Sequence, residues 1–144
     1  MTAYETIFDN FRVQVLDFDM IKVPEDVRYN MLMGFMNAAQ AYFQTRCTVD
    51  LSDRDDVLGQ YNQSLGVEEI HIMVLGMVWA WYNYRLNQSD NLMNYLNTRD
   101  YNMASAPGRM LESQRAARDG AWDAFRQALI DYSYLHGGVD QLKP

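Results

Sequence analysis

The fold of this chain is decided by one stretch, residues 70–82, which reads IHIMVLGMVWAWY. Two glutamates precede it and Arg85 follows it, so the charges at both ends match the helix macrodipole. The stretch is apolar on nearly every side, and a helix with this pattern is normally contacted by neighbours on several faces. We therefore predict a central helix over residues 67–86, in which Gly76 lets a neighbouring helix approach closely.

Two more helices are predicted after the central one. Ser89 and Asp90 are good capping residues, which predicts a short helix over residues 89–97. A long last helix over residues 105–133 follows, with a proline in its first turn and an apolar stripe along one face. A pair of glycines then ends the regular structure and leaves residues 134–144 as a tail.

Two helices are predicted before the central one. Large apolar residues recur at spacings of three and four over residues 2–18, with Thr2 as the candidate cap. The next helix covers residues 24–47, because Pro24 and the two acids after it suit a first helical turn. Residues 48–66 are polar and acidic, and we predict a loop there.

Together these elements predict an all-α fold. We expect a single helical domain over residues 1–144, a bundle of about four to five helices with a long C-terminal helix and a short tail. The 144 residues, of which 49% are hydrophobic and 13% aromatic, can fill one sizeable core. No segment shows strand-like alternation between hairpin turns, so strands are not expected.

The charge of the chain limits its partners. A formal net charge of −7 argues against binding of nucleic acid, because such binding needs lysines and arginines to neutralise phosphates. Like charge would instead let DNA pass without sticking. Residues 70–82 are too short to span a bilayer, and the N-terminus lacks the basic and apolar regions of a secretory signal. We expect a soluble protein without membrane contact.

The sequence offers two weak candidates for chemistry. Residues 53–56 hold three aspartates, but Val57 stands where a calcium loop needs another oxygen ligand, so we interpret them as caps of a following turn. Cys47 and His71 could pair as nucleophile and base. A lone cysteine at a helix end is more often a small core hydrophobe. We therefore predict no catalytic residue, no metal site and no cofactor.

A series of short motifs runs along the chain in a fixed order. They read LSDRD at 51–55, EEI at 68–70, LGMVW at 75–79, LN at 86–87, NL at 91–92, LNTRDY at 96–101, SAP at 105–107 and IDYSY at 130–134. This series resembles the head-tail connector (neck adaptor) family, the small neck proteins of tailed bacteriophages. The collinearity of the motifs carries the resemblance. Residues 104–108 depart from the family's Ser-Pro-Ala-Asn arrangement, which affects the local turn and leaves the fold inference intact.

The resemblance implies a structural virion protein and no enzymatic activity. Proteins of this family are implied to be helical bundles that form a ring of about twelve copies beneath the portal protein. Such a ring extends the DNA channel and joins the head to the stopper or tail protein. Packaged double-stranded DNA slides through it without specific binding. The implied location is the neck of the virion, after synthesis in the host cytoplasm.

Two groups of residues are predicted to make the contacts. The end of the last helix and the tail combine aromatic residues with a glycine pair, which suits contact with portal or another partner. The candidates there are Tyr132, Tyr134, Leu135, His136 and Leu142. The segment leading into the last helix is predicted to contact a neighbouring subunit. Its candidates are Arg99, Asp100, Tyr101 and Arg109.

Three alternatives stay open on sequence alone. The chain could be a freestanding helical binding module that acts through an aromatic surface as a monomer or dimer. It could be another component of the neck. It could also be an all-α enzyme whose site is assembled from scattered carboxylates and Cys47, which would require a deep pocket with perturbed ionisable groups.

Overall fold

The structure is a computed structural model that describes residues 1–15, 18–99 and 105–136. Within these residues the chain forms five helices and one minimal three-stranded sheet, so the all-α prediction is confirmed. The elements are β1 (Thr2–Ala3), α1 (Tyr4–Gln14), α2 (Phe18–Lys22), α3 (Glu25–Phe43), β2 (Arg54–Asp55), β3 (Gln60–Tyr61), α4 (Val67–Arg99) and α5 (Ser105–His136).

Helix α4 is the centre of the bundle, as its apolar pattern predicts. It packs against α1, α3 and α5. Met73 and Met77 on this helix are completely buried, and Ile72 and Val74 are nearly so. Burial of one such side chain contributes roughly 1.5–3 kcal/mol. The residues that decide the fold are therefore also those that fill the core.

Gly76 marks a point where three helices approach closely. A Cβ atom at this position would lie 2.5 Å from Ala39 Cβ on α3 and 2.8 Å from the Phe125 ring on α5. Real Cβ atoms do not approach other atoms so closely, because interiors are packed to crystal-like density. The close approach predicted for Gly76 is confirmed, and it sets the spacing of α3, α4 and α5.

The central helix is longer than predicted. One continuous helix, α4, replaces the separate helices predicted over residues 67–86 and 89–97. The intervening residues contain neither glycine nor proline, and serine or aspartate inside a helix costs only about 0.5 kcal/mol. A capping signal of this strength is too weak to interrupt the helix. None of the described helices, α4 included, is long and apolar enough to cross a membrane.

The first helix is shorter than the predicted span of 2–18. Thr2 does not cap it, because Thr2 belongs to β1 and its Oγ1 accepts the Leu65 N–H at 2.8 Å. The helix ends at Gln14, since the following Val15 is extended (φ −127°, ψ 112°). Valine is β-branched and tolerates extended backbone well. The short helix α2 then begins three residues later.

Helix α3 occupies the predicted region with tighter bounds than 24–47. Pro24 precedes the helix as its N-cap residue. At the other end the Phe43 carbonyl accepts the N–H groups of both Arg46 and Cys47 at 2.9 Å. A carbonyl shared in this way closes the helix with a tighter turn, so regular geometry stops four residues before the predicted end.

The predicted loop over residues 48–66 contains two strands, which corrects the expectation of no strands. β2 and β3 form an antiparallel hairpin, and β1 pairs with the other edge of β3. Each strand is two residues long, too short for alternation to be visible in the sequence. Gly59 closes the hairpin with a φ of 69°, a conformation that favours glycine.

Helix α5 extends three residues past the predicted end at 133. It continues to His136 because the first helix-breaking residue is the glycine that follows. Phe125 and Tyr132 on its apolar stripe are completely buried. The predicted tail over 134–144 therefore begins as helix, and residues 137–144 lie outside the described part of the chain.

Two buried tyrosines tie the small sheet to the helices. The Tyr4 hydroxyl donates to Asp56 Oδ1 at 2.6 Å, and the Tyr61 hydroxyl donates to Gln40 Oε1 at 2.6 Å. Their rings meet edge to face, with centroids 5.2 Å apart. Burial, reinforced at Tyr4 by the Asp56 hydrogen bond, raises the pKa of both phenols, that of Tyr61 to about 12.

We expect the folded chain to lose stability in alkali. In the unfolded chain tyrosine ionises near pH 10, so the stabilisation linked to Tyr4 and Tyr61 is complete below that pH. It falls as the pH rises from 10 to about 12, because the unfolded state ionises first. Denaturant melts between pH 8 and pH 12 test this. A Tyr61→Phe chain with the same pH slope as the wild type would contradict it.

Candidate functional site

Tyr132 fixes the end of α5 to the bundle. Its side chain is completely buried, and its ring meets Phe43 edge-on with centroids 5.1 Å apart. Its hydroxyl accepts the Thr48 N–H at 3.2 Å, lies 2.9 Å from Thr48 Oγ1 and donates to Glu69 Oε1 at 3.5 Å. One phenol thus joins α5 to α3, to the loop after α3 and to α4.

His136 forms a second attachment one turn later. Its Nε2 lies 2.8 Å from Glu68 Oε2, and its ring stacks on Tyr132 with centroids 4.3 Å apart. Residues four apart share one helix face, so both side chains point to the same part of the bundle. The last turn of α5 is therefore held against the first turn of α4.

Tyr134 and Leu135 lie between these attachments on the outer side of α5. Their exposed fractions are 66% and 72%, which makes them two adjacent large side chains in solvent. A single exposed hydrophobic residue is ordinary, whereas neighbouring ones on a fixed backbone offer contact area. The two side chains therefore lie on a helix end that is already fixed by its own contacts.

The structure places the predicted contact residues in different environments. Tyr134, Leu135 and His136 are exposed at the end of α5, where partner contact was predicted. The prediction of a partner contact for Tyr132 is wrong. This residue belongs to the core, because it lies on the inner face of α5 and packs against Phe43. Leu142 lies outside the described residues.

Little can be said of the four residues predicted to contact a neighbouring subunit, because none of their side chains is described. Arg99 is the last residue of α4 and Arg109 lies in the first turns of α5, but their side chains are not described. Asp100 and Tyr101 lie outside the described residues. The proposal of a subunit contact in this segment stays a prediction.

The surroundings of Cys47 do not favour a role as a nucleophile. Its Sγ lies 3.8 Å from the Tyr132 hydroxyl, and burial raises the pKa of the thiol. His71, its hypothetical base, is exposed on α4. A raised pKa lowers the thiolate fraction, and the thiolate is the reactive form. Cys47 is partly buried and packs against the core.

We expect Cys47 to react slowly with alkylating reagents in the folded chain. At pH 8 the raised pKa and the partial burial both reduce attack by the thiolate. The measurement compares iodoacetamide labelling of the folded chain with labelling in denaturant. Equal labelling rates in the two states would show that the fold neither shields the thiol nor raises its pKa.

In the acidic segment at 53–56, Asp55 accepts backbone hydrogen bonds, whereas Asp53 and Asp56 bond to side chains. Asp55 Oδ1 accepts the N–H groups of Val57 and Leu58 at 2.9 and 3.0 Å, so the aspartate caps the following turn as predicted. Among residues 1–15, 18–99 and 105–136, no three metal-binding side chains are grouped closely enough to hold an ion.

A half-exposed aromatic cluster was not predicted as a unit. It consists of Tyr42 on α3, Trp79 on α4 and Trp122 with Phe125 on α5. Ring centroids are 4.9 Å apart for the two tryptophans and 5.1 Å for Tyr42 and Trp122, and Tyr42 is 45% exposed. Sequence alone could not join these rings, because they come from three helices whose relative rotation depends on the packing.

The described residues form a helical bundle with exposed hydrophobic side chains at the end of α5 and a partly exposed aromatic cluster between α3, α4 and α5. No protein-family model, curated protein sequence or solved structure matches the chain.

Proposed function

We propose that the chain is a structural virion protein, a head-tail connector that forms a ring beneath the portal protein of a tailed bacteriophage. The ring extends the DNA channel and joins the head to the stopper or tail protein. Support comes from the ordered motifs over residues 51–134, from the helical bundle with its long last helix, and from the exposed end of that helix.

The anchored end of α5 is the observation that carries the proposal. Tyr132 and His136 hold this end against the bundle, and Tyr134 and Leu135 face solvent between them. An interface gains most from a few large side chains at its centre, and a preformed backbone reduces the entropy lost on binding. This arrangement suits a small protein that docks on a large assembly such as portal.

The acidic charge is consistent with a DNA channel. A net charge of −7 on each copy, multiplied around a ring, repels phosphates and disfavours adhesion to passing DNA. Binding of DNA would need the opposite charge. In this proposal the chain acts on DNA only by leaving it free to move.

A double substitution at the exposed end tests the proposed docking surface. We expect Tyr134→Ser with Leu135→Ser to weaken portal binding at least about tenfold, as for residues at the centre of an interface. The fold should persist, because both side chains are exposed. The measurement is the affinity of the purified chain for the portal protein from the same source.

The matched control is Val13→Ser, which removes a hydrophobic side chain that is 86% exposed on a different helix, α1. It should bind portal like the wild type. If the double variant also bound unimpaired, the end of α5 would not be the docking surface.

The aromatic cluster favours a second candidate, a freestanding binding module. Tyr42 and Trp122 are partly exposed, and aromatic side chains are common anchors of protein interfaces. A module of this kind would stay a monomer or dimer and would ignore portal. Tyr42→Ser would then abolish binding to its partner, whereas the connector proposal expects little effect of this change on portal binding.

A further inference from the structure

A small cleft lies between the two long helices α4 and α5, and its volume is about 260 Å³. The described residues that line it are Trp81, Tyr82 and Arg85 on α4 and Ser113, Gln114 and Ala117 on α5. Pockets that hold drug-sized molecules measure about 300–1,000 Å³. This cleft is smaller, so it suits a ligand of the size of one amino-acid residue.

The cleft carries a positive charge although the chain as a whole is acidic. Arg85 is its cation, and none of its described lining residues is an acid. The guanidinium carbon of Arg85 lies 5.1 Å from the centroid of the Trp81 ring. Arg85 makes no ion pair with any described residue. A guanidinium can donate two parallel hydrogen bonds to one carboxylate, so the cleft favours a ligand that carries this group.

The cleft also contains an unused hydrogen-bond acceptor. The Oε1 atom of Gln114 is buried and accepts no hydrogen bond within the described part of the chain. An unpaired buried acceptor is unfavourable, because it has lost water and gained no donor. The Gln114 side chain is flexible and partly exposed, so its amide can turn toward a ligand N–H in the cleft. The exposed hydroxyl of Ser113 beside it is a further donor for a carboxylate.

We propose that the α4–α5 cleft binds an α-carboxylate together with the amide N–H next to it, as found in the last residue of a peptide or in a free N-acylated amino acid. Arg85 pairs with the carboxylate, Gln114 Oε1 accepts the N–H, and the apolar side chain of the ligand packs against Tyr82 and Ala117. Capture of a chain terminus is a recurring mode of peptide recognition. Phosphate fits less well, because it brings no N–H for Gln114.

The inference goes beyond the proposed connector function and does not depend on it. It rests on the described side chains of one cleft and requires neither portal nor a second copy of the chain. The two proposals can therefore fail separately.

Three small compounds test both contacts on the unaltered chain. N-acetyl-leucine carries the carboxylate and the amide N–H, N-acetyl-leucinamide lacks the carboxylate, and 4-methylpentanoate lacks the amide. We expect N-acetyl-leucine to bind at least about tenfold more tightly than either of the others, and also more tightly than inorganic phosphate. NMR titrations that follow the Gln114 side-chain amide and the Trp81 indole measure binding at the cleft. Equal affinities for the four compounds, or titrations that move neither signal, would overturn the proposal.

Substitutions assign each contact to its residue. Arg85→Met keeps an unbranched side chain and removes the guanidinium, so it should weaken N-acetyl-leucine binding at least about tenfold. Gln114→Leu should reduce the affinity for N-acetyl-leucine to that for 4-methylpentanoate, whose own binding should not change. Gln114→Leu should also raise the Tm, because it removes an unpaired buried acceptor.

The matched control is Arg126→Met, which removes an exposed arginine of α5 that does not line the cleft. It should bind N-acetyl-leucine like the wild type, and circular dichroism checks that every variant folds. An Arg85→Met chain that bound this compound as tightly as the control would show that the guanidinium holds no carboxylate, against the proposal.

Two peptides distinguish the possible sources of the ligand. One ends in leucine with a free carboxylate, and the other has the same sequence with an amidated end. Tighter binding of the free peptide than of N-acetyl-leucine would support a chain terminus as the ligand, and weaker binding would support a free N-acylated amino acid. If the amidated peptide bound as tightly as the free one, the carboxylate would play no part and the proposal would be wrong.

Discussion

We expect the Tyr132→Ala chain to lose about 3–5 kcal/mol of stability, the range measured for removal of a large buried aromatic side chain. Tyr132 is completely buried, packs on Phe43 and hydrogen-bonds with Thr48. A domain of this size has only about 5–15 kcal/mol in total. The end of α5 should therefore detach or the whole chain unfold, as denaturant melts followed by circular dichroism would show.

Two further substitutions separate packing from hydrogen bonding. Tyr132→Phe keeps the ring and removes the hydroxyl that serves Thr48, which should cost about 0.5–1.5 kcal/mol. Tyr134→Ala, on the same helix but 66% exposed, should change stability by less than about 0.5 kcal/mol. If Tyr132→Ala were as mild as Tyr134→Ala, the core role assigned to Tyr132 would be wrong.

The second large effect is expected at Gly76. Gly76→Ala should lower stability by about 1–3 kcal/mol, because the new methyl group would overlap Ala39 and the Phe125 ring. The Ala39 atoms belong to or adjoin the backbone of α3, so this neighbour cannot rotate away. The loss should occur even though alanine is intrinsically the better helix former by about 1 kcal/mol. Thermal and denaturant melts measure the change.

Gly34 provides the matched control for Gly76. It also lies inside a helix, but an added Cβ would meet nothing within 4 Å. Gly34→Ala should therefore raise stability by roughly 0.5–1 kcal/mol through helix propensity alone. Opposite signs at the two positions are the expected result. A stabilising effect at Gly76 would mean that α3 and α4 are not in close contact there.

The centre of the fold could be predicted from the sequence because its signal is local. Residues 70–82 are apolar on nearly every face, and only a helix surrounded by neighbours buries such a surface. The small residue at Gly76 within that segment also indicated where a neighbour comes close. Both predictions depend on one stretch of chain and need no knowledge of its partners.

The remaining features depend on contacts between distant segments. Two-residue strands show no alternation, so the pairing of Thr2 with Tyr61 could not be predicted. The side of α5 that faces the core depends on its rotation against α4, which decides that Tyr132 is buried and Tyr134 exposed. The composition singled out the end of α5, but it could not show which of the residues there are exposed.

The most direct test of the connector proposal is the native mass of the purified chain mixed with the portal protein from the same source. We expect a large complex in which the number of copies of this chain matches the number of portal subunits. A chain that stays separate from portal, with an unchanged mass at every mixing ratio, would contradict it.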